Sequence, residues 1–454
     1  MLTLALSMIV RNAAATLKAC LESVRGVVNE IVIADTGSTD ATKQIAREFG
    51  AHVIDILWDN DFAAARNLAM AEVKADWVLV LDADEMLDSG AVAAIPALLA
   101  SPNVAGYQVR IRNYVLSLED RIWDRPAKPN DGALAAASAY PAFVEHENVR
   151  LFRRDPHVYF VGRVHESVGP RIEECGFHLG FATFVIHHFG LAADAETRAR
   201  KNRFYRELGK LKVVEMPTNA QAHLELGLVE LDNFGNVEEA LTCFDRACEL
   251  NPKFGVAWFF AGIAHFRLSH YQESLRCLLR AEKLGRVTSA VVEMIGDVHY
   301  NLGELSDAVR NYQRALKQPQ DIPVLQSKIG LALVRSGQEE EGLASLRRAL
   351  QKQPQRPDLH DRLVTALVWL GQIPDAAVAG EAKLRSVSAP SSGDFVRSAS
   401  LWARSGNWAR ATAVLHVGLK VFPNDPGLEK ALRGLAADSG PRVAELVETL
   451  SHSS

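Results

Sequence analysis

Two architectures in series are predicted for this chain of 454 residues: an α/β domain built on a mostly parallel sheet, then an all-α array of stacked helical hairpins. Three observations predict them. Apolar runs alternate with helically periodic segments over the first 85 residues; two of those runs, IVIADTGSTD at 31–40 and WVLVLDADE at 77–85, deliver aspartates at their carboxyl ends; and beyond about residue 219 small residues recur every 34 positions. A buried parallel strand offers ligands from the loop past its C-terminal edge, so those aspartates fall where open α/β sheets bind nucleotides.

The elements follow in order. Residues 2–10 are an apolar run, read as a strand, and AATLKACLESVR at 14–25 spaces its apolar positions for a helix. IVIAD forms the second strand, with Thr36-Gly37-Ser38 as its turn. Thr39 or Asp40 is placed to cap the helix ATKQIAREFG, which Gly50 ends, and HVIDILW is a third strand. DFAAARNLAMAEV is helical by alanine content and spacing, and WVLVLDADE extends the βα alternation. From residue 104 the pattern turns to short strands, GYQVRIRNYV, NVRLFRR and FATFVIHHF. Between them, Pro126, Pro129, Pro141 and a weakly patterned Ala/Ser stretch mark 117–142 as a mobile loop.

The later period can be counted. Gly262, Gly296 and Gly330 are 34 apart, as are Gly303, Gly337 and Gly371, and Ala247, Ala281, Ala315 and Ala349 keep the interval. Thirty-four residues is the length of a tetratricopeptide repeat. Starts near 221, 255, 289, 323, 357 and 392 give about six units; one extra residue sits in the first hairpin, and Lys383 stands where a small residue is expected. The expected division is 1–195 for the α/β domain, 196–218 as a helical linker, 219–435 for the repeats, and 436–454 for a capping helix, within 440–450, and a tail.

Composition narrows the function. At 48% hydrophobic and 23% charged the chain is globular, and its net charge of −5 lacks the basic excess that nucleic acid or anionic lipid favours. Five cysteines without a CxxC pair indicate neither a disulfide framework nor a zinc knuckle. The start MLTLALSMIV lacks a basic n-region and a cleavage pattern, and no stretch reaches the roughly 18 apolar residues of a spanning helix. A soluble, cytoplasmic protein without an integral membrane segment is expected, and a homodimer is compatible with the array.

Asp82 and Asp84 are two residues apart, so in extended backbone their carboxylates face one side. One or two carboxylates plus substrate phosphates is a common way to hold Mg²⁺ or Mn²⁺. The bland alternative is a solvated acidic turn. No GxxxxGK[ST], GxSxG or HExxH competes, and VRNAAATL replaces the glycine-rich loop a dinucleotide needs after the first strand.

With DTGSTDAT at 35–42, DFAAARN at 61–67 and LDADE at 81–85, in that order, the first 195 residues resemble a family 2 glycosyltransferase with the nucleotide-sugar-binding GT-A fold. The added repeats resemble a bacterial subgroup of that family to which peptide S-glycosyltransferases of bacteriocin pathways are similar. The resemblance implies a nucleotide-sugar donor, with a UDP-sugar the first expectation. It makes Asp84 a metal ligand, sets Asp82 between metal and ribose, and places Asp35 on the nucleoside, although Asp35 equally suits capping its own turn. Arg66 and Asn67 are then within reach of base or diphosphate. A third metal ligand should follow the acidic strand; His187 is the choice, with His188 and His165 as alternatives, since tandem histidines on a strand point to opposite faces. An inverting reaction needs a base, for which Glu166 stands in the expected region, with Asp155, Glu145 and Glu147 as rivals. A thiol acceptor would need less basicity.

The leading expectation is thus a metal-dependent, inverting glycosyltransferase whose repeats hold a protein or peptide acceptor or a second subunit. The alternative is a tetratricopeptide scaffold carrying a decayed glycosyltransferase domain, against which the intact Asp35, Arg66, Asp82 and Asp84 argue. A nucleotidyltransferase would want a basic glycine-rich loop where only Arg11 stands.

Overall fold

The structure is a computed structural model that describes residues 2–118, 120–122, 125–190, 195–286, 288–317 and 322–438. The chain folds as two compact units, Met1–Asn251 and the remainder from Pro252.

In the first unit, β1 (Leu4–Val10) is buried along nearly its whole length and pairs in parallel with β2 (Glu30–Asp35) on one side and β4 (Trp77–Val80) on the other. Burial on both faces explains the unbroken apolar runs. β3 (His52–Asp55) adds a further parallel edge. β5 is Glu85–Leu87, β6 Gly106–Val115, β7 Ala142–Arg153 and β8 Leu179–His188, and the strands lie in the order β3-β2-β1-β4-β7-β6-β8-β5. β7 runs antiparallel to β4, while β8 runs parallel to β6 and antiparallel to β5, setting His188 opposite Glu85.

The two sheet faces alternate as a two-residue period requires. Leu6, Met8, Ile33 and Leu79 pack with residues of α1 (Leu17–Ser23) and α4 (Ala91–Leu99); Ala5, Val32 and Val78 pack on the opposite face with residues of α3 (Phe62–Ala71). The remaining helices here are α2 (Thr42–Glu48) and α5 (Gly169–Glu174).

Two local expectations change. WVLVLDADE is not one strand: β4 stops at Val80, a turn closed by the Glu85 N–H on the Asp82 carbonyl at 3.0 Å follows, and β5 leaves for the far side of the sheet. Asp82 and Asp84 are therefore on a turn, not in extended strand. The proline-bearing stretch 117–142 is also tied down in its described part. Lys128–Pro129 pairs with β7, and the Asn130 amide donates to the carbonyls of Ala137 and Tyr140 at 2.9 and 2.8 Å.

Three helices close the first unit: α6 (Ala195–Glu215), α7 (Ala220–Val229) and α8 (Val237–Leu250). The extra residue of the first repeat is absorbed by a π-helical turn, Glu230–Phe234, that prolongs α7. A π turn is how a helix takes up one residue without breaking.

From Pro252 the hairpins are regular: α9 (Gly255–Arg267) with α10 (Tyr271–Lys283), α11 (Ser289–Leu302) with α12 (Leu305–Ala315), α13 (Ile322–Arg335) with α14 (Glu339–Lys352), α15 (Pro357–Trp369) with α16 (Ile373–Ser386), and α17 (Ser392–Arg404) with α18 (Trp408–Val421), followed by α19 (Pro426–Asp438). The recurring glycine sits where two helices cross. A Cβ on Gly330 would lie 2.8 Å from the Gly342 carbonyl oxygen, and one on Gly296 2.6 Å from the Tyr312 ring. Lys383, at a position expected to be small, is buried but donates to both Asp361 oxygens at 2.7 and 2.8 Å and to Asp394 at 2.8 Å. The capping helix expected within 440–450 lies outside the described residues. Among the described residues no helix is long and apolar enough to cross a membrane.

Because the Gly342 carbonyl cannot rotate away, Gly330→Ala should destabilise the repeats by about 1–3 kcal/mol. Gly434→Ala, in α19 with nothing within 4 Å of its Cβ, should stabilise them by up to about 1 kcal/mol. Urea unfolding of the two variants checks both signs.

Candidate active site

The acidic turn is held by a chain of alternating charges. Arg66 comes from α3, whose first turn is capped by the Asp61 carboxylate accepting the Ala64 N–H at 2.8 Å. Its guanidinium is buried beside the Phe160 ring, donating from Nη2 to Asp82 Oδ1 at 2.7 Å and from Nε to Glu166 Oε1 at 2.5 Å. Arg150, from the middle of β7, donates to Glu85 Oε1 at 2.8 Å and stands 3.5 Å from Asp82 Oδ2. The sequence Glu166–Arg66–Asp82–Arg150–Glu85 thus joins three carboxylates through two guanidiniums. Burial by itself would raise the Asp82 pKa, but Arg66 and Arg150 outweigh it and hold this carboxyl well below the ordinary range. Glu85 goes the other way: burial, reinforced by Asp82 and only partly offset by Arg150, pushes it up to about 7.

Asp84 faces a different partner. His188 Nε2 lies 3.5 Å from Asp84 Oδ2. His187, the residue expected to complete a metal site, is turned the other way: it is buried, its Nδ1 is 2.9 Å from the Tyr114 hydroxyl, and its ring lies nearly parallel to Tyr114. The alternation of a strand lets only one of the pair face Asp84, and the register against β5 gives that place to His188.

The protonation pattern of His188 follows from its neighbours. The Asn113 Nδ2 donates to the Val144 carbonyl at 3.1 Å, which fixes that end of the amide as the NH₂ and the other as the oxygen. The oxygen contacts His188 Nδ1 at 2.7 Å, so Nδ1 carries a proton and Nε2 is the ring atom turned to Asp84. The second Nδ2 proton meets His146 Nδ1 at 2.8 Å; burial, then Arg150, lowers His146 to about 4 and keeps it a neutral acceptor. For His188 burial also works against the charged form, yet Asp84, then Glu85 and Asp82, raise its pKa.

Both side chains pack against Gly190, where a Cβ would stand 2.3 Å from Asp84 Oδ2 and 2.6 Å from His188 Nε2, so a glycine is what lets them stay in place. A carboxylate oxygen and an imidazole nitrogen 3.5 Å apart are a fitting donor set for Mg²⁺ or Mn²⁺.

Asp35 does one of its two expected tasks visibly. Its Oδ1 accepts the N–H groups of Gly37 and Ser38 at 2.9 and 2.7 Å, with Gly37 at φ 103°, while its Oδ2 is buried without a hydrogen-bond partner. Asn67 faces no open site: its amide donates to the Phe160 carbonyl at 3.0 Å and accepts the Phe160 N–H at 2.8 Å. It holds the loop on which the Arg66 guanidinium packs. Glu145 pairs with Arg112 and Lys128, Glu147 with Arg125, and Asp155 accepts the His157 N–H, so of the four candidate bases Glu166 is the one joined to the acidic turn.

The loop bearing Glu166 is gripped from outside the sheet. Lys212 on α6 donates to the Val164 carbonyl at 2.7 Å and to Glu225 on α7 at 2.7 Å. Arg163 reaches Glu215 at 2.5 Å and the Asp59 carbonyl at 3.0 Å, and the His165 ring stacks on Tyr205. Arg150, Glu85 and Asn113 were missed in the sequence. Arg150 carried a signal, a charge among the apolar residues of NVRLFRR, and a charge in that setting calls for a buried partner. Elsewhere, His299, Glu304 and Asp307 bring ligand atoms within 4.8 Å, but His299 pairs with Glu304 and Asp307 with Arg310.

Arg66→Ala should destabilise the first unit by about 1–3 kcal/mol, because it leaves the enclosed Glu166 carboxylate without its cation and takes one of two from the part-exposed Asp82. Arg66→Lys should restore little of this, lacking the fork that serves both at once. Chemical denaturation followed by tryptophan fluorescence measures the two.

Residues 6–160 match glycosyl transferase family 2, and 230–287, 259–322 and 293–357 match the tetratricopeptide repeat. A TPR repeat-containing protein of Synechococcus elongatus is 33% identical over 200 residues, covering 43% of this chain and 44% of that one. The lipopolysaccharide core biosynthesis glycosyltransferase LpsC of Rhizobium meliloti is 29% identical over 170 residues, 35% of this chain and 54% of its own. The SPbeta prophage-derived glycosyltransferase SunS of Bacillus subtilis is 27% identical over 170 residues, 36% of this chain and 34% of its own. The matches thus span between a third and just over half of these relatives. Residues 6–160 therefore form a family 2 glycosyltransferase domain, and the helical hairpins that follow are tetratricopeptide repeats.

Proposed function

We propose that the chain is a metal-dependent, inverting glycosyltransferase that moves a sugar from a nucleotide-sugar donor, a UDP-sugar in the first instance, to a protein or peptide presented by the repeats. The observation that carries this reading is the facing pair Asp84 and His188, with Nε2 of the ring aimed at the carboxylate through Asn113. Asp84 and His188 would hold Mg²⁺ or Mn²⁺, with Asp82 alongside; the cation would neutralise the charge that builds on the departing diphosphate.

The protein's own groups supply the rest. Arg66 Nη1 and Arg150 Nε are buried donors without partners, aligned along the same acidic turn. Asp35 Oδ2 is a buried acceptor suited to a base N–H. Glu166 is oriented through Oε1 by Arg66, which leaves its other oxygen to take the acceptor's proton as the nucleophile attacks opposite the leaving group. Residues 1–195 would do the chemistry and 219–435 the presenting. LpsC is named for lipopolysaccharide core biosynthesis, so a saccharide acceptor is the competing outcome of an acceptor screen.

With UDP-sugars and Mn²⁺, Asp84→Asn and His188→Ala should lower donor hydrolysis or transfer by about 10–100-fold or more, while His187→Gln keeps the cation dependence of the unaltered chain. Full turnover by a folded Asp84→Asn, or equal losses at His187 and His188, would overturn the assignment.

A further inference from the structure

We propose that α6 completes the donor site: Arg200 and Lys201, together with Arg11, hold the diphosphate of a nucleoside diphosphate whose base lies against the aromatic wall of the same cleft. This rests on the glycosyl-transfer reading and adds to it residues beyond the matched 6–160.

A cleft of about 590 Å³ opens at the C-terminal edge of the sheet, where Val10 ends β1 and Thr36 follows β2. Trp58 and Phe62 form one wall, their ring centroids 4.8 Å apart and edge to face. α6 faces into the cleft with Arg200, Lys201 and Phe204. The helix is fixed there by Tyr205, whose ring stacks on Phe62 at 5.9 Å with an interplanar angle of 1° and carries Lys201 Nζ 5.7 Å from its centroid. Tyr205 also feels the reacting end of the site: burial, then Asp82 and Glu166, pushes its hydroxyl up to about 12. The Tyr205 ring also stacks on His165, the neighbour of Glu166, at 6.2 Å, so the helix reaches from the cleft to the loop that bears Glu166.

Charge decides the occupant. Arg11, Arg200 and Lys201 all line this one cleft; among the described residues no ion pair engages them, and Lys201 lies over the Tyr205 ring. Three cations converging on one apolar cleft repel one another until an anion joins them, and aromatic walls select an anion with a planar apolar part. A nucleoside diphosphate carries both, and the cleft is large enough for it.

The test uses the full chain with Arg200→Gln and Lys201→Gln combined, both side chains being exposed, and calorimetric titration with UDP and with uridine in the presence of Mn²⁺. UDP binding should weaken by about tenfold or more while uridine binding is unchanged, since only the diphosphate loses its charge-assisted contacts. In turnover the donor KM should rise while kcat holds. Equal UDP affinity in the variant and the unaltered chain would overturn the proposal, as would an equal loss for uridine, which would mean that α6 is only a wall. Failure of the unaltered chain to bind either UDP or GDP would instead remove the functional reading itself, and this proposal with it.

Discussion

One guanidinium organises the acidic turn. Asp82, Glu85 and Glu166 bring three carboxylates into a part-buried space, an arrangement that like-charge repulsion and desolvation both oppose. Arg66 lies between Asp82 and Glu166, and Arg150 continues the alternation to Glu85. The excess of one negative charge is relieved at Glu85, the most enclosed of the three, whose pKa near 7 lets it carry a proton part of the time. Asp82, better supplied with cations, stays ionised. These groups arrive on α3, β7, the turn after β4, the start of β5 and the loop before α5, so the geometry exists only once those elements are assembled.

The histidine side shows the same dependence on assembly, through hydrogen-bond direction rather than charge. A backbone carbonyl orients Asn113, Asn113 orients His188, and His188 then faces Asp84 through Nε2. Such a relay positions a ligand before anything binds, so little reorganisation is left for the binding event. The absence of a side chain at Gly190 is as much a part of this arrangement as Asp84 and His188 themselves.

Helices outside the sheet matter to the same centre. α6 and α7 hold the Glu166 loop through Lys212, Glu225 and Glu215, and α6 also lines the cleft. The segment 196–218, read from sequence as a helical linker, packs side chains against residues 163–165 of the first unit. The buried Lys212 has its charge met by Glu225 and by a carbonyl, the condition under which an enclosed ammonium is tolerated.

How much of this was legible depends on whether a feature is local. Apolar runs, their alternation with helical segments and the 34-residue period come from burial patterns along the chain, and they revealed the sheet strands, the hairpins and even the extra residue that became a π turn. The same local logic showed that His187 and His188 must point oppositely and that Asp35 could cap its own turn. It could not say which histidine meets Asp84, because that depends on the register of β8 against β5, two strands almost a hundred residues apart. Nor could it show that LDAD leaves the strand as a turn, that Asn67 spends its amide on Phe160, or that Arg150 joins the acidic cluster. Sequence determined the two architectures and the residue types of the site. Tertiary structure decided which of those residues meet, since a side chain's partner is set by strand register and long-range packing, which no local period encodes.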